Sequence, residues 1–419
     1  MYNCSDMKQM KYTFNYILKF LKWLGLAALT GILGGLIGTL FHFVVDKVTT
    51  IRMANSWLIY LLPIGGLAII LICRLFKLDT ETGTSSIMKA LREDKKIPTA
   101  IGPVIFLGTA ITHLFGGSAG REGAALQLGG SIGTVVGKIF KLDSKDTHII
   151  ILCGMSSVFA ALFGTPLTAA IFALEVVNAG VFFYSALIPT IVSSLVSTRV
   201  SLLFGVQPIQ FNVQIPEISF ASVGEVLLIG AICAGVSILF CLTVGYMKKL
   251  MRKLISNDFI RIFAGGTVIV LLTIIIRTTD YNGAGMHIIE GALNGEARPE
   301  AFILKLIFTA ITIAAGYRGG EIIPAFFIGS TLGVLIGTIL GVDPAFAAAL
   351  GLVALFCGIV NCPIASIFLS IELFGSEGLL LFALACAVSY VLSGNFSIYS
   401  EHKAISSKIK DELINQRDN

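Results

Sequence analysis

Residues 116–123 read Gly116-Gly117-Ser118-Ala119-Gly120-Arg121-Glu122-Gly123, and a second glycine turn, Gly319-Gly320-Glu321-Ile322-Ile323-Pro324, follows about 200 positions later. The two turns begin a longer match. Gly129, Gly133 and Gly137 correspond to Gly329, Gly333 and Gly337 at an offset of 200. Gly154, Pro166 and Glu175 correspond to Gly351, Pro363 and Glu372 at an offset of 197. Around the prolines, Thr165-Pro166-Leu167-Thr168-Ala169-Ala170-Ile171-Phe172 reads like Cys362-Pro363-Ile364-Ala365-Ser366-Ile367-Phe368. Scattered glycine matches arise by chance. A shared order of Gly, Pro and Glu over such a stretch does not, and it marks a duplicated chain.

The medium follows from composition. Of 419 residues, 55% are hydrophobic and 13% charged, and the mean hydropathy is +0.88. Soluble domains carry about 25% charged residues, so lipid must solvate much of this surface. A helix needs about 20 apolar residues to span the hydrocarbon. Suitable runs lie near 23–45, 57–76, 147–178, 181–204, 222–247, 258–276 and 344–374. The 44 glycines suit closely packed or broken membrane helices. The expected fold is therefore an all-α polytopic membrane protein.

The formal charge of +5 is spread over tails and loops, which speaks against a nucleic-acid partner. Eight cysteines are scattered without CxxC spacing and read as small core side chains. Five dispersed histidines suggest no metal cluster, and no cofactor is expected. Residues 1–20 lack the compact apolar core and cleavage site of a signal peptide.

Charge also orients the halves. Lys8, Lys11, Lys19 and Lys22 precede the first apolar run and place the N-terminus in the cytoplasm. No Lys or Arg occurs between Arg199 and Lys248, so 205–221 reads as external, whereas Lys248, Lys249, Arg252, Lys253 and Arg261 mark 248–261 as cytoplasmic. Lys47 and Arg52, in an apparent external loop at 46–56, run against this pattern. The first half then opens from inside and its counterpart from outside. Such an inverted repeat places a substrate site near the midplane where the halves meet. The expected plan is a cytoplasmic segment 1–22, a first half 23–210, an inverted second half 211–400 and a short cytoplasmic tail 401–419.

The first turn opens a helix expected at 124–140. Glycines let backbone N–H groups face a ligand, and a helix N-terminus carries a positive partial charge. Two such N-termini aimed at one point make an anion site. The alternative is that these glycines only permit close helix packing. Glu122 is an anion placed in that site. Protonated it would leave, and ionised it would compete with the substrate, so one residue could couple proton and anion movement. A salt bridge to Arg121 is the alternative. Gly116-x-Ser118-x-Gly120 also fits a hydrolase nucleophile elbow, but membrane flanks in place of a strand speak against an enzyme. Glu175 and Glu372, each nine residues after its proline, suggest structural roles at helix ends.

The order Gly120-Arg121-Glu122-Gly123, Gly320-x-x-x-Pro324 and Ser397-Ile398-Tyr399-Ser400 resembles the CLC family of anion channels and anion/proton exchangers. The resemblance covers about residues 20–400. It implies a homodimer with one pore per subunit, tilted and broken helices, and, in this chain, no regulatory CBS domains. By position, Glu122 resembles the gating glutamate and Tyr399 the tyrosine facing the anion. Ile322 and Ile323 would offer backbone N–H groups. The first anion-binding stretch aligns with Gly83-Thr84-Ser85-Ser86-Ile87, with Thr84 at a serine position and no proline. Ala124 replaces a proline, Glu321 an apolar residue, and Val176 the internal proton-relay glutamate. Together these departures resemble the bacterial fluoride/proton branch, although Ile323 stands where that branch often has threonine. Gly120, Arg121, Gly123, Gly320 and Pro324 would be structural. The resemblance thus implies fluoride export driven by protons across a bacterial plasma membrane, with both termini cytoplasmic. Chloride exchange or a chloride channel is the other reading.

Overall fold

The computed structural model describes residues 4–80, 83–93, 95, 97–177, 183–399 and 408, with side chains from residue 13 onward. The tail expected at 401–419 therefore lies, Lys408 apart, outside the described residues, as does Ser400.

Among the described residues the chain forms two sets of eight α-helices. The first comprises α1 (Cys4–Ala54), α2 (Leu62–Leu75), α3 (Thr84–Arg92), α4 (Ile101–Leu114), α5 (Glu122–Ile139), α6 (Ser144–Phe163), α7 (Pro166–Glu175) and α8 (Tyr184–Leu203). The second comprises α9 (Phe220–Leu254), α10 (Asp258–Ile276), α11 (Met286–Leu293), α12 (Ala301–Ala315), α13 (Ile322–Leu340), α14 (Pro344–Val360), α15 (Pro363–Phe374) and α16 (Leu379–Leu392). Among the described residues seven helical segments are long and apolar enough to cross a membrane. Large apolar side chains such as Leu36, Leu40, Phe43, Leu228, Leu239 and Leu242 stay exposed on the long helices. In lipid that surface needs no cover.

Each half opens on a long helix. α1 has 51 residues, a length of roughly 77 Å at 1.5 Å per residue, well beyond the ~30 Å hydrocarbon core. It begins at Cys4 rather than near 23, because no Gly or Pro interrupts the stretch before Gly25. The segment expected as a separate 1–22 unit is continuous with α1 from Cys4 onward.

The matched glycines bring backbones into contact. A Cβ on Gly129 would lie 2.1 Å from the Gly154 carbonyl oxygen, and one on Gly329 would lie 2.3 Å from that of Gly351. α5 thus crosses α6, and α13 crosses α14, at a separation only glycine allows. Asp143 and Asp343 cap α6 and α14, accepting from the backbone N–H of Asp146 at 2.7 Å and Phe346 at 2.8 Å.

Two apolar runs expected to be continuous are broken. The run 147–178 divides at Gly164 (φ +68°), and 344–374 divides at Asn361 (φ +57°). Each left-handed residue ends a helix, and the following Thr165-Pro166 or Cys362-Pro363 cannot continue it. Three residues of mixed polarity do not register in an average over twenty. The link 204–219 between α8 and α9 has no helix or strand, and it touches both halves. Ile209 N–H donates to the Phe163 carbonyl at 3.1 Å, and Phe211 N–H donates to that of Leu373 at 2.8 Å.

Candidate functional site

The halves meet backbone to backbone. Gly120 N–H donates to the Gly320 carbonyl at 2.7 Å, and Gly320 N–H donates to the Gly120 carbonyl at 2.8 Å. This reciprocal pair places the start of α5 against the start of α13. Arg121 and Glu321 are the N-cap residues, so Glu122 and Ile322 are the first helical positions. The helix expected at 124–140 therefore includes Glu122.

Glu122 is fully buried. Its Oε2 accepts the backbone N–H of Ile323 at 3.2 Å, across the boundary between the halves. Its Oε1 is buried without a partner. The carboxylate thus sits on the N-terminus of the other half's broken helix, where the exposed N–H groups and the dipole favour an anion. Gly120 leaves it room, because a Cβ there would lie 2.2 Å from Oε2. Among the described residues Arg121 forms no ion pair with it. Its Nη1 donates to Nδ1 of His42 on α1 at 3.1 Å.

Thr84 opens α3 and brings a third helix start to the same place. Its hydroxyl donates to the Gly123 carbonyl at 3.1 Å and accepts from Gln127 Nε2 at 3.1 Å. Gln127 also donates to the Gly123 carbonyl at 3.2 Å. The Thr84 hydroxyl hydrogen is therefore committed to the protein backbone. Ile322 and Ile323 are buried, with their N–H groups in the first turn of α13. Tyr399 is 2% exposed, its hydroxyl is buried without a partner among the described residues, and its charged neighbours include Glu321 and Glu122. Ile398 N–H donates to the Ile359 carbonyl at 3.0 Å and holds that segment on the end of α14. Val176 is fully buried.

Glu321 does not cap α13 with its side chain. Its carboxylate faces Lys248 of α9 at 3.6 Å. Arg318, three residues away in sequence, reaches Cys73 Sγ at 3.3 Å and the Asp79 carbonyl at 3.4 Å. Each N-cap charge is thus tied to the long opening helix of its own half, Arg121 to α1 and Glu321 to α9.

Glu175 and Glu372 act across the halves. Glu175 accepts the N–H groups of Ile364 at 3.2 Å and Ala365 at 2.9 Å, at the start of α15. Glu372 accepts those of Leu167 and Thr168, both at 2.9 Å, at the start of α7. Each acid caps the broken helix of the other half, satisfying N–H groups that have no intrahelical partner.

Ser118 has no nucleophile geometry. Its hydroxyl pairs with Thr309 Oγ1 at 3.0 Å, while His113 Nδ1 meets the Thr109 carbonyl at 2.9 Å. Nothing in the sequence reading places Gln127 or His42 at the site, and Lys248 reads there only as a cytoplasmic loop charge. Gln127 lies one turn after Gly123, a spacing that could have flagged it. His42 and Lys248 are 79 and 73 positions from their partners, and no local pattern joins them.

Comparisons with known proteins agree with this arrangement. The family model described as voltage gated chloride channel matches residues 65–394. A chloride/fluoride channel protein from Pseudomonas syringae pv. tomato is 34% identical over 92% of this chain and 87% of its own. An H(+)/Cl(-) exchange transporter from Vibrio vulnificus is 26% identical over 94% of this chain and 91% of its own. A solved CLC-type fluoride/proton antiporter superposes with a TM-score of 0.89 at 32% identity, over 92% of this chain and 99% of that one. A slow cyanobacterial Cl-/H+ antiporter superposes at 0.78 with 21% identity, over 90% and 96%, a likeness of fold.

Proposed function

Since the chain belongs to the voltage gated chloride channel (CLC) family, we propose that it is a fluoride/proton antiporter that expels fluoride across a bacterial plasma membrane. The observation that carries this is the Glu122 carboxylate on the Ile323 N–H, fully buried and half-satisfied. A buried carboxylate on a helix N-terminus is an anion held where a transported anion would bind. Taking up a proton removes its charge and its hold on that N–H, so the site passes to fluoride. Losing the proton returns the carboxylate and displaces the anion. Tyr399, whose hydroxyl has no partner among the described residues, and the N–H groups of Ile322 and Ile323 supply donors close enough to replace water around a small, strongly hydrated ion. Thr84 contributes by fixing Gly123 in place.

The fluoride reading is supported by the likeness to the chloride/fluoride protein and the fluoride/proton antiporter, and by the departures at Thr84, Val176 and Glu321. The halves 23–210 and 211–400 would form one pore per subunit of a homodimer, with both termini cytoplasmic. Purified protein in liposomes loaded with both halides should release fluoride at least about tenfold faster than chloride, a preference of about 1.4 kcal/mol. Ion-selective electrodes read both fluxes. Equal or faster chloride release replaces the fluoride assignment with chloride exchange.

Glu321 would move protons in place of the relay that Val176 cannot provide. Its lack of any capping bond leaves the long acid without a local structural task, apart from the ion pair with Lys248. Glu321→Gln keeps size and polarity and removes titration. The variant is expected to elute as wild type on size exclusion and to lose most fluoride/proton exchange, about tenfold or more. Wild-type flux with wild-type proton coupling assigns Glu321 to the ion pair alone.

A further inference from the structure

Sequence charge counting placed Arg52 in a loop, yet it is in the last turn of α1 and 8% exposed. Its guanidinium lies between two glycines from opposite halves. A Cβ on Gly283 would meet Nη2 at 2.7 Å, and one on Gly116 would meet Nη1 at 3.5 Å. Among the described residues its side chain has no hydrogen-bond or ion-pair partner, and its Nε is buried. Beside it Lys305, fully buried on α12, donates to the carbonyls of Gly283 at 2.7 Å and Tyr281 at 3.3 Å and faces the Phe327 ring at 4.9 Å.

We propose that Arg52 and Lys305 form a second halide-binding site on the outer side of the Gly116 turn, distinct from the site held by Glu122. The Arg52 guanidinium stays charged and needs a counter-charge, since a cation is costly out of water and the neighbouring Lys305 supplies no opposite charge. The carbonyls satisfy the Lys305 donors but carry no net charge, and water reaching Arg52 would do no more. Among the described residues no carboxylate pairs with either side chain. The charged neighbour of Lys305 is Arg52, and those of the nearby His113 are Arg52, Arg121 and Lys305. Asp46, Glu290 and Glu300 are exposed, and Asp280 faces His287 at 3.9 Å. His113 lies beside the same cations. With Nδ1 on the Thr109 carbonyl, its ring nitrogen Nε2 is buried without a partner.

The site is linked to the transport centre. The Gly116 carbonyl accepts from Asn282 Nδ2 at 3.1 Å and from Gly283 N–H at 3.3 Å, so the cations and the turn that carries Glu122 are one piece of structure. An anion here balances the pair and raises the local halide concentration beside the centre. The inference rests on the chain being a halide transporter.

Equilibrium dialysis of the purified protein against labelled fluoride and labelled chloride counts bound anions. Two per subunit are expected in wild type and one in Arg52→Gln or Lys305→Gln. One per subunit in wild type, or two retained in a folded Arg52→Gln, overturns the site. If neither variant folds, wild-type crystals grown in bromide decide. An anomalous peak within about 4 Å of the guanidinium supports the site, and its absence overturns it. Fast halide release from wild-type liposomes with a single bound anion refutes this site and leaves the transport reading intact. No release of either halide removes the reading on which it rests.

Discussion

Glu122→Gln is expected to eliminate proton-coupled fluoride movement, with proton uptake driven by a fluoride gradient falling about 100-fold or more. The Gln carbonyl can still accept the Ile323 N–H that Glu122 accepts at 3.2 Å, so the centre keeps its shape. What is lost is the alternation between an anion that binds the helix N-terminus and a neutral acid that leaves it. Position decides the size of the effect. Glu122 is fully buried, and the other half supplies a hydrogen-bond donor to its carboxylate through the Ile323 N–H. Vesicles with fluoride inside and a pH electrode outside read the coupling directly. Proton uptake at the wild-type rate in Glu122→Gln vesicles would assign coupling to another residue.

Gly320→Ala should do comparable damage by a different route. The added methyl would lie 2.4 Å from the Gly123 nitrogen and 3.0 Å from its Cα, and both are backbone atoms that cannot swing aside. The halves must separate there. Separation strains the paired bonds between Gly120 and Gly320 at 2.7 and 2.8 Å and draws the Ile323 N–H away from Glu122. Overpacking costs about 1–3 kcal/mol, enough to lower the melting temperature by a few degrees in a chain this long. The larger effect is on function, because a displacement of about 1 Å at a reacting centre can cost about 100-fold. Gly224→Ala is the control, since nothing lies within 4 Å of a Cβ there. Wild-type flux and wild-type melting in Gly320→Ala would show that the halves do not depend on the close approach at this glycine.

Much of the centre was legible because chemistry and repetition coincide in the chain. Gly120 and Gly320 stand out as a matched pair, and they are hydrogen-bonded to one another. Glu122 stands out as a charge in an apolar, glycine-rich turn, and it occupies a helix N-terminus. The helix ends at Gly164 and Asn361 were not read, because a left-handed residue before an X-Pro step is a local backbone event that hydropathy averages away. Glu321 could be read as important, but its partner Lys248 could not, since the two are brought together by the packing of α9 on α13.

The sequence by itself determined that the chain spans a membrane, that it is duplicated, and which turns carry its chemistry. Composition sets the solvent, and spacing reveals the repeat. Only the tertiary structure decided which partner each of those residues takes. Glu175 and Glu372 look alike in sequence, as acids near helix ends. In three dimensions each caps the broken helix of the opposite half. Arg52 looks like a loop charge and is a buried cation. The reason is the same in each case. An inverted repeat brings together residues about 200 positions apart, so the donor for an acid in one half is a backbone N–H in the other. Nothing in the local pattern of either half specifies that meeting.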